Sequence, residues 1–527
     1  MHYQVQVYIK ETSAKTYPDG LARSIHFALL GDDGQRTELN RGYGVLFAKG
    51  QISAEGTIVP KALKRPEIYR CPDGSFLIRA IRTEEDGSAE PGITKILYWK
   101  SKDLIRFEEA DDPREVKGAE DTSNSSCEDA QLAPAVITRE EAARLLTFWN
   151  AAPGKPLTSF PRATGLADPV FFRHEGKWYF IFTNDNENDI GIYLREADTI
   201  PELLSDETPM YLILAPDEGR GLIQTFWAPE IHEINGELWI FFAVSAEEFG
   251  PCCHMMKLKR GGRLTDPLSY EAPVPVRRKD GSVLTVPEYR FMKKEEKTEH
   301  CASADTRNTK QLSERETQPP ELKEPEPGKL LSDRPVTESE GPVDDRIGIS
   351  LDMTYLEDAG RSYVIWSYRK GIANGAGLGN SKDSGSMLLI AEIAKEKPWQ
   401  LISDPVLISR PLYGYENARG TVNNEGPFVY KKDGMIHVNY SGGDARGYLY
   451  VINLLSAKEG SALLDPASWR KRNTPICNFT TYPGVYGPGH NSFFRDEDGK
   501  EWIAFHAVDA MDGKRVSVGI FEYPAEL

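Results

Sequence analysis

No apolar run in this chain approaches the ~20 residues that a membrane-spanning helix needs, so a helical membrane protein is excluded. Cysteine is sparse, with six in 527 residues at 71, 127, 252, 253, 301 and 477 and no CxxC spacing. That scatter fits neither a disulfide scaffold nor a zinc ribbon, and the thiols read as reduced. Positive charge is in deficit. With 63 Lys and Arg against 80 Asp and Glu, the formal charge of −17 repels nucleic acid and anionic membranes at long range. A small neutral ligand is indifferent to that field. The opening MHYQVQVYIKETSAK lacks an apolar signal segment and a small-residue cleavage site, which gives the expectation of a cytosolic protein. A secreted form with its signal removed would read the same.

Aromatics (10%), 45 glycines and 35 prolines favour many short strands over long helices. Five passages repeat one pattern: ADPVFFRHEGKWYFIFT, WAPEIHEINGELWIFFAVS, LDMTYLEDAGRSYVIWSY, NEGPFVYKKDGMIHVNYSGG and GHNSFFRDEDGKEWIAFHA. Each is a β-rich run, a polar turn at Gly, then an alternating aromatic and β-branched run, which is the signature of an antiparallel hairpin. Anchors at 168, 228, 352, 425 and 490 lie 60, 124, 73 and 65 residues apart. The long gap contains a Lys-, Glu- and Pro-rich stretch, about 292–345, which reads as a solvated insertion. Without it the period is near 60 to 70 residues, room for four strands per repeat. The expected fold is all-β, a five-bladed β-propeller over residues 161–527.

Residues 1–160 are expected to form an additional β-rich N-terminal domain. SIHFALLGDDGQRTELN, RPEIYRCPDGSFLIRAIR and ILYWKSKDLIRFEE read as hairpins, and LAPAVITREEAARLLTFW as a degenerate further one. The acidic, Ser-rich stretch from Asp111 to Asp129 reads as a loop.

In a propeller the first strand of every blade lines the central channel, so equivalent positions of distant repeats converge. Asp168, Asp352 and Glu425 hold that place, beside apolar and aromatic residues. Carboxylates crowded at a channel mouth cannot all ionise at their solution pKa, which suits acid–base work. Capping of turns or ordinary ion pairing is the bland alternative for any one of them alone. Trp227 and Phe226 open the second repeat and offer either an aromatic wall for a ligand or blade packing. His254 beside Cys252 and Cys253 lacks zinc spacing and reads as core, and Glu230 reads as a structural hydrogen-bonding partner.

GLADPVFF, FWAPEIHEINGELWIFFA, LDMTYLEDAGRSYVIW, VNNEGPFVYKKDG, LLDPASW and VYGPGHNSFF together resemble glycoside hydrolase family 43 over residues 165–527. Within it the likeness is to exo-acting α-L-arabinofuranosidases. The resemblance implies a five-bladed propeller that hydrolyses a small oligosaccharide with inversion. It implies Asp168 as general base, Asp352 as pKa modulator and Glu425 as general acid. It further places Arg515 near sugar hydroxyls and a calcium or sodium ion beside His490 through water, with no other cofactor required. Val170 departs from the family's usual residue after Asp-Pro. The alternatives on this frame are a β-xylosidase, an endo-arabinanase, or a non-catalytic carbohydrate-binding propeller.

Overall fold

The computed structural model describes residues 2–13, 16–54, 56–110, 133–184, 191–245, 250–286, 345–371, 383–418, 422–513 and 517–524. The insertion expected at about 292–345, but for Asp345, and the loop expected from Asp111 to Asp129 lie outside the described residues, as does Arg515. The chain is mostly strand, in antiparallel sheets. Among the described residues no helix is long and apolar enough to cross a membrane.

Each of the five repeated passages forms the first two strands of one sheet. The innermost strands are Ala167–His174, Gln224–Ile234, Ile349–Asp358, Asn424–Lys432 and Tyr486–Arg495. Each pairs with the strand that follows it, and a third strand adds on the outside. Four of the hairpins turn on Glu175-Gly176, Asn235-Gly236, Ala359-Gly360 and Asp433-Gly434, with positive φ at both residues. That is the requirement of a type I′ turn, whose twist matches the paired strands. The second strands, such as Lys177–Thr183 and Glu237–Ser245, are buried on both faces because they lie between neighbouring sheets, which explains their unbroken apolar runs. The apolar cores accordingly sit between successive sheets.

The five innermost strands touch one another in sequence order, and the fifth touches the first, so the contacts close into a ring. The closure is reinforced from outside. Residues 155–162, just upstream of the first sheet, pair with the last strand, Ser517–Glu522: Leu157 N donates to Ile520 O and Val518 N to Arg162 O, and Pro156 bridges Phe521.

Among the described residues two larger sheets and the short pair Gln51–Ile52 with Ile58–Val59 precede the ring. One joins Tyr3–Tyr8, His26–Gly31 and Arg36–Glu38; the other joins Lys61–Arg70, Phe76–Glu84, Ile96–Ser101 and Glu108–Ala110. The three hairpins expected there are present. The fourth is not: Arg139–Trp149 is an α-helix. Thr138 and Glu141 form a reciprocal capping box at its start, and Ala142, Leu145 and Trp149 bury one face. Val136–Ile137 of AVIT is a short strand on Tyr3–Tyr8, and the Thr-x-x-Glu signal and three-to-four spacing start the helix directly after it.

Candidate active site

One irregularity recurs in every innermost strand. Pairing to the second strand slips between Ala167 and Val170, Trp227 and Glu230, Leu351 and Thr354, Glu425 and Phe428, and Gly489 and Ser492. The first unpaired residue of each slip has positive φ: Asp168 54°, Ala228 51°, Asp352 53°, Gly426 56° and His490 45°. Three of the five slips continue with Pro169, Pro229 or Pro427, which have no N–H to lose at a position outside the ladder. These bulges aim Asp168, Asp352 and His490 in one common way. Glu425 precedes the bulge residue Gly426, so it stands not in register with the two aspartates but in the slot of Trp227 and Leu351.

The bulges also stitch sheet to sheet. Asp168 Oδ2 accepts from Thr183 Oγ1 at 2.9 Å within its own sheet and from Ala228 N of the next at 3.2 Å. Asp352 Oδ2 accepts from Ser367 Oγ and from Gly426 N, both at 3.0 Å. His490 N donates to Ser441 Oγ at 2.7 Å, and Asp168 N donates to His506 Nδ1 at 3.3 Å. Asp168 Oδ1 faces His490 Nδ1 at 3.3 Å and His506 Nδ1 at 3.5 Å. Both aspartates are 4% exposed.

Burial pushes the Asp352 carboxyl up from 3.8 to about 7; the His490 charge opposes the rise, while Glu425 and Asp168 reinforce it. The structure therefore brings Asp168, Asp352, Glu425 and His490 into one electrostatic neighbourhood. Glu425 is partly exposed, its Oε1 accepting from Tyr450 OH at 3.0 Å and its Oε2 from Ser386 Oγ at 3.3 Å. Arg369, buried and paired with Asp383 at 2.6 Å, holds Asn423 Oδ1 at 2.9 Å and senses the Glu425 charge.

The two aromatic candidates separate. Trp227, in the slot equivalent to Glu425, is partly exposed and rests on Ala243, Ile349 and Leu351. Phe226 is 0% exposed, within the apolar core between the first and second sheets, so its expected ligand contact is corrected to packing. Adjacent strand residues point to opposite faces, and only one of this pair can face outward. Glu230 accepts from or shares a proton with His232 Nε2 at 2.6 Å, the structural partnership expected of it. His254 is buried with Nδ1 at 2.8 Å from Cys252 O, and burial lowers its pKa to about 4.

His506, Tyr450, Ser386 and Thr183 were not singled out by the sequence. Ala167, Leu351, Glu425 and Gly489 face Thr183, Ser367, Ser441 and His506 across their hairpins, so a polar residue recurring at one register was the available signal. Among the described residues no three His, Cys, Asp or Glu side chains are grouped to ligate a metal directly. The donors near His490 thus do not form a cage, and an ion there would rest on one imidazole through water.

Residues 337–519 match the model of glycosyl hydrolases family 43. Over those residues the chain is similar to that family. It is 27% identical over 364 residues to an extracellular exo-α-(1→5)-L-arabinofuranosidase of Streptomyces avermitilis, covering 68% of this chain and 59% of that one. It is 32% identical over 159 residues to a protein of the same name from Streptomyces chartreusis, covering 30% and 44%. The crystal structure of an α-L-arabinofuranosidase from Lactobacillus brevis aligns with a TM-score of 0.47 at 23% identity, over 69% of this chain and 92% of that one. The chain thus spans about half the length of these curated proteins. Both Streptomyces proteins are named extracellular, so the cytosolic expectation gains no support from them, and the secreted alternative is the one they fit.

Proposed function

We propose that this family 43 relative is an inverting, exo-acting α-L-arabinofuranosidase, its five sheets the blades of a propeller and residues 1–160 an accessory β-rich domain. The ring of innermost strands supports the propeller, and the pairing of residues 155–162 with the last strand supports counting them with the fifth blade. The observation that carries the activity is the carboxylate set itself: two acids in equivalent bulges of the ring, with a third one residue before another bulge, and the charges of Asp168 and Glu425 both felt at Asp352.

Inverting hydrolysis needs one carboxylate to activate water and one carboxylic acid to protonate the leaving oxygen. Asp168 is the base. Donors from Thr183 and Ala228 fix one oxygen, and the other, Oδ1, which faces His490 and His506, takes the proton from water. Glu425 is the acid, partly exposed where a departing group can reach it. Burial and mutual repulsion keep a proton on the Asp352–Glu425 pair toward neutral pH, so the pair enters the reaction with a proton to give. Trp227 offers an apolar wall to the sugar face. Arg515 near sugar hydroxyls and a calcium or sodium ion beside His490 remain part of the proposal, and no chemical step depends on either.

Initial rates on aryl α-L-arabinofuranoside and aryl β-D-xyloside test the reading, with proton NMR of the first sugar released. Preference for the arabinoside with the β-anomer formed first is expected. Preference for the xyloside favours the β-xylosidase alternative, and no turnover of either contradicts the exo reading.

A further inference from the structure

Behind Glu425 lies a buried ion pair that the proposed mechanism does not use. Glu416 is 0% exposed. Its Oε1 accepts from Lys471 Nζ at 2.6 Å, Tyr440 OH at 2.7 Å and Asn424 Nδ2 at 2.9 Å, and its Oε2 from Tyr413 N at 2.9 Å. Lys471 Nζ donates in turn to Asn424 Oδ1 at 3.0 Å and Arg410 O at 2.8 Å, and Ser409 Oγ donates to the same Asn424 Oδ1 at 2.6 Å. Both ends of the Asn424 amide are thereby fixed. Asn424 is the residue whose carbonyl forms the peptide bond to Glu425.

The residues that carry Glu416 are held from the N-terminal side. Arg410, fully buried, donates Nη1 to Gly56 O at 3.1 Å; Gly50 N donates to Leu412 O at 2.8 Å; and Phe47 meets Tyr415 edge-on at 4.9 Å. A continuous path of packed groups therefore runs from the N-terminal region through residues 410–416 to the acid.

We infer that Glu416 is a positioning residue for Glu425: with Lys471 it clamps Asn424, and the N-terminal region braces the segment that carries it. This rests on the reading of Glu425 as general acid. A buried pair of this kind is weak evidence for stability as such, whereas removal of one partner leaves an uncompensated charge. In Glu416→Gln the Lys471 ammonium loses its carboxylate partner, with Asn424 alone between it and Glu425. The groups facing the pair are Tyr413 and Tyr440, whose rings lie 5.5 and 5.2 Å from the ammonium, and Arg410. Those facing Glu425 are Tyr450, Asp352 and Arg369. None of these is altered by the substitution, so the freed cation favours the Glu425 carboxylate and the acid loses its proton at lower pH.

The test measures kcat and KM against pH for Glu416→Gln, Glu425→Gln and wild type on phenyl and dinitrophenyl α-L-arabinofuranosides, with circular dichroism and thermal unfolding to establish folding. The alkaline limb of Glu416→Gln is expected to move acidward by about half a pH unit or more. Its kcat on the phenyl substrate falls about tenfold or more, less on the dinitrophenyl one, with KM within about twofold. The Glu416→Gln/Lys471→Met double variant returns the limb to the wild-type position. If Glu416→Gln does not fold, Asn424→Ala carries the test, since it strands no charge: the same leaving-group-dependent loss of kcat is expected without a limb shift. An unmoved limb and unchanged kcat in folded Glu416→Gln, or unchanged kcat in Asn424→Ala, overturns the inference. Should Glu425→Gln itself keep full activity on the phenyl substrate, it is the reading of the acid that fails, and the two failures are told apart.

Discussion

Asp352 sits where its charge is least welcome. Burial comes first, and the Glu425 and Asp168 charges add to it, raising its folded-state pKa from 3.8 to about 7. The folded chain therefore keeps a proton that the unfolded chain releases above about pH 4. The stability this proton contributes is complete below the unfolded value and is lost as pH rises through 7. At pH 8 the ionised group costs on the order of 4 kcal/mol. Asp352→Asn retains an acceptor for Ser367 and Gly426, so thermal unfolding should place it above wild type at pH 8 and near wild type at pH 4, while its activity falls. The aromatic pair gives a second prediction. Phe226→Ala should lose about 3–5 kcal/mol of stability with KM unchanged in the folded fraction, whereas Trp227→Ala should chiefly raise KM. The acids Asp168, Asp352 and Glu425 were legible in the sequence because each follows the same repeat landmark. Their hydrogen-bonding partners were less so, since Tyr450 and Ser386 reach Glu425 from strands and connections whose spacing is not constant.

Among the structural elements, the bulge and the hairpin turn do most to build the site. The turns were legible, because a Gly at a fixed place in each repeat, preceded by Asn, Asp or Glu in all but the Ala359-Gly360 turn, meets the positive-φ requirement. The bulge was not, because its sequence varies among Asp-Pro, Ala-Pro, Asp-Met, Gly-Pro and His-Asn. Its conformation is imposed by the close approach of five strands rather than by any one dipeptide. That is why the sequence placed Glu425 in register with the aspartates when Gly426 holds that position. The helix Arg139–Trp149 was misread for a related reason: AVIT is a true strand signal, Val136–Ile137 pairing with Tyr3 and Gln4, and only the capping box behind it marks where strand gives way to helix. A test at this scale uses Gly489, where a Cβ would lie 2.0 Å from Tyr450 Cδ1. Gly489→Ala must push the Tyr450 ring aside and with it the hydroxyl that donates to Glu425. Its kcat on a poor leaving group should fall at least as far as that of Tyr450→Phe, measured side by side, with KM little changed.

Across the molecule, the N-terminal region and the ring share an aromatic core. Leu21, Tyr43 and Phe47 pack with Tyr413, Tyr415, Tyr448 and Phe479 in one buried cluster, two residues along the chain from Tyr450. The sequence made the two β-rich parts visible through their separate hairpins but not their junction, because the contacts join residues some 370 or more apart in sequence with no periodicity to announce them. Phe47→Ala should cost about 3–5 kcal/mol, read from denaturant unfolding, and should lower kcat more than it raises KM, since the cluster supports the segment leading to Glu425. A stability loss with wholly unchanged kinetics would make the junction a passive one.

The central claim is that Glu425 delivers the proton to the departing oxygen, and the dependence of Glu425→Gln on leaving group tests it most directly. Relative to wild type, kcat/KM should fall by about 10²–10⁴-fold on phenyl α-L-arabinofuranoside and far less on the dinitrophenyl substrate, whose leaving group departs unassisted. An equal loss on both, or no loss on the phenyl substrate, would contradict the account.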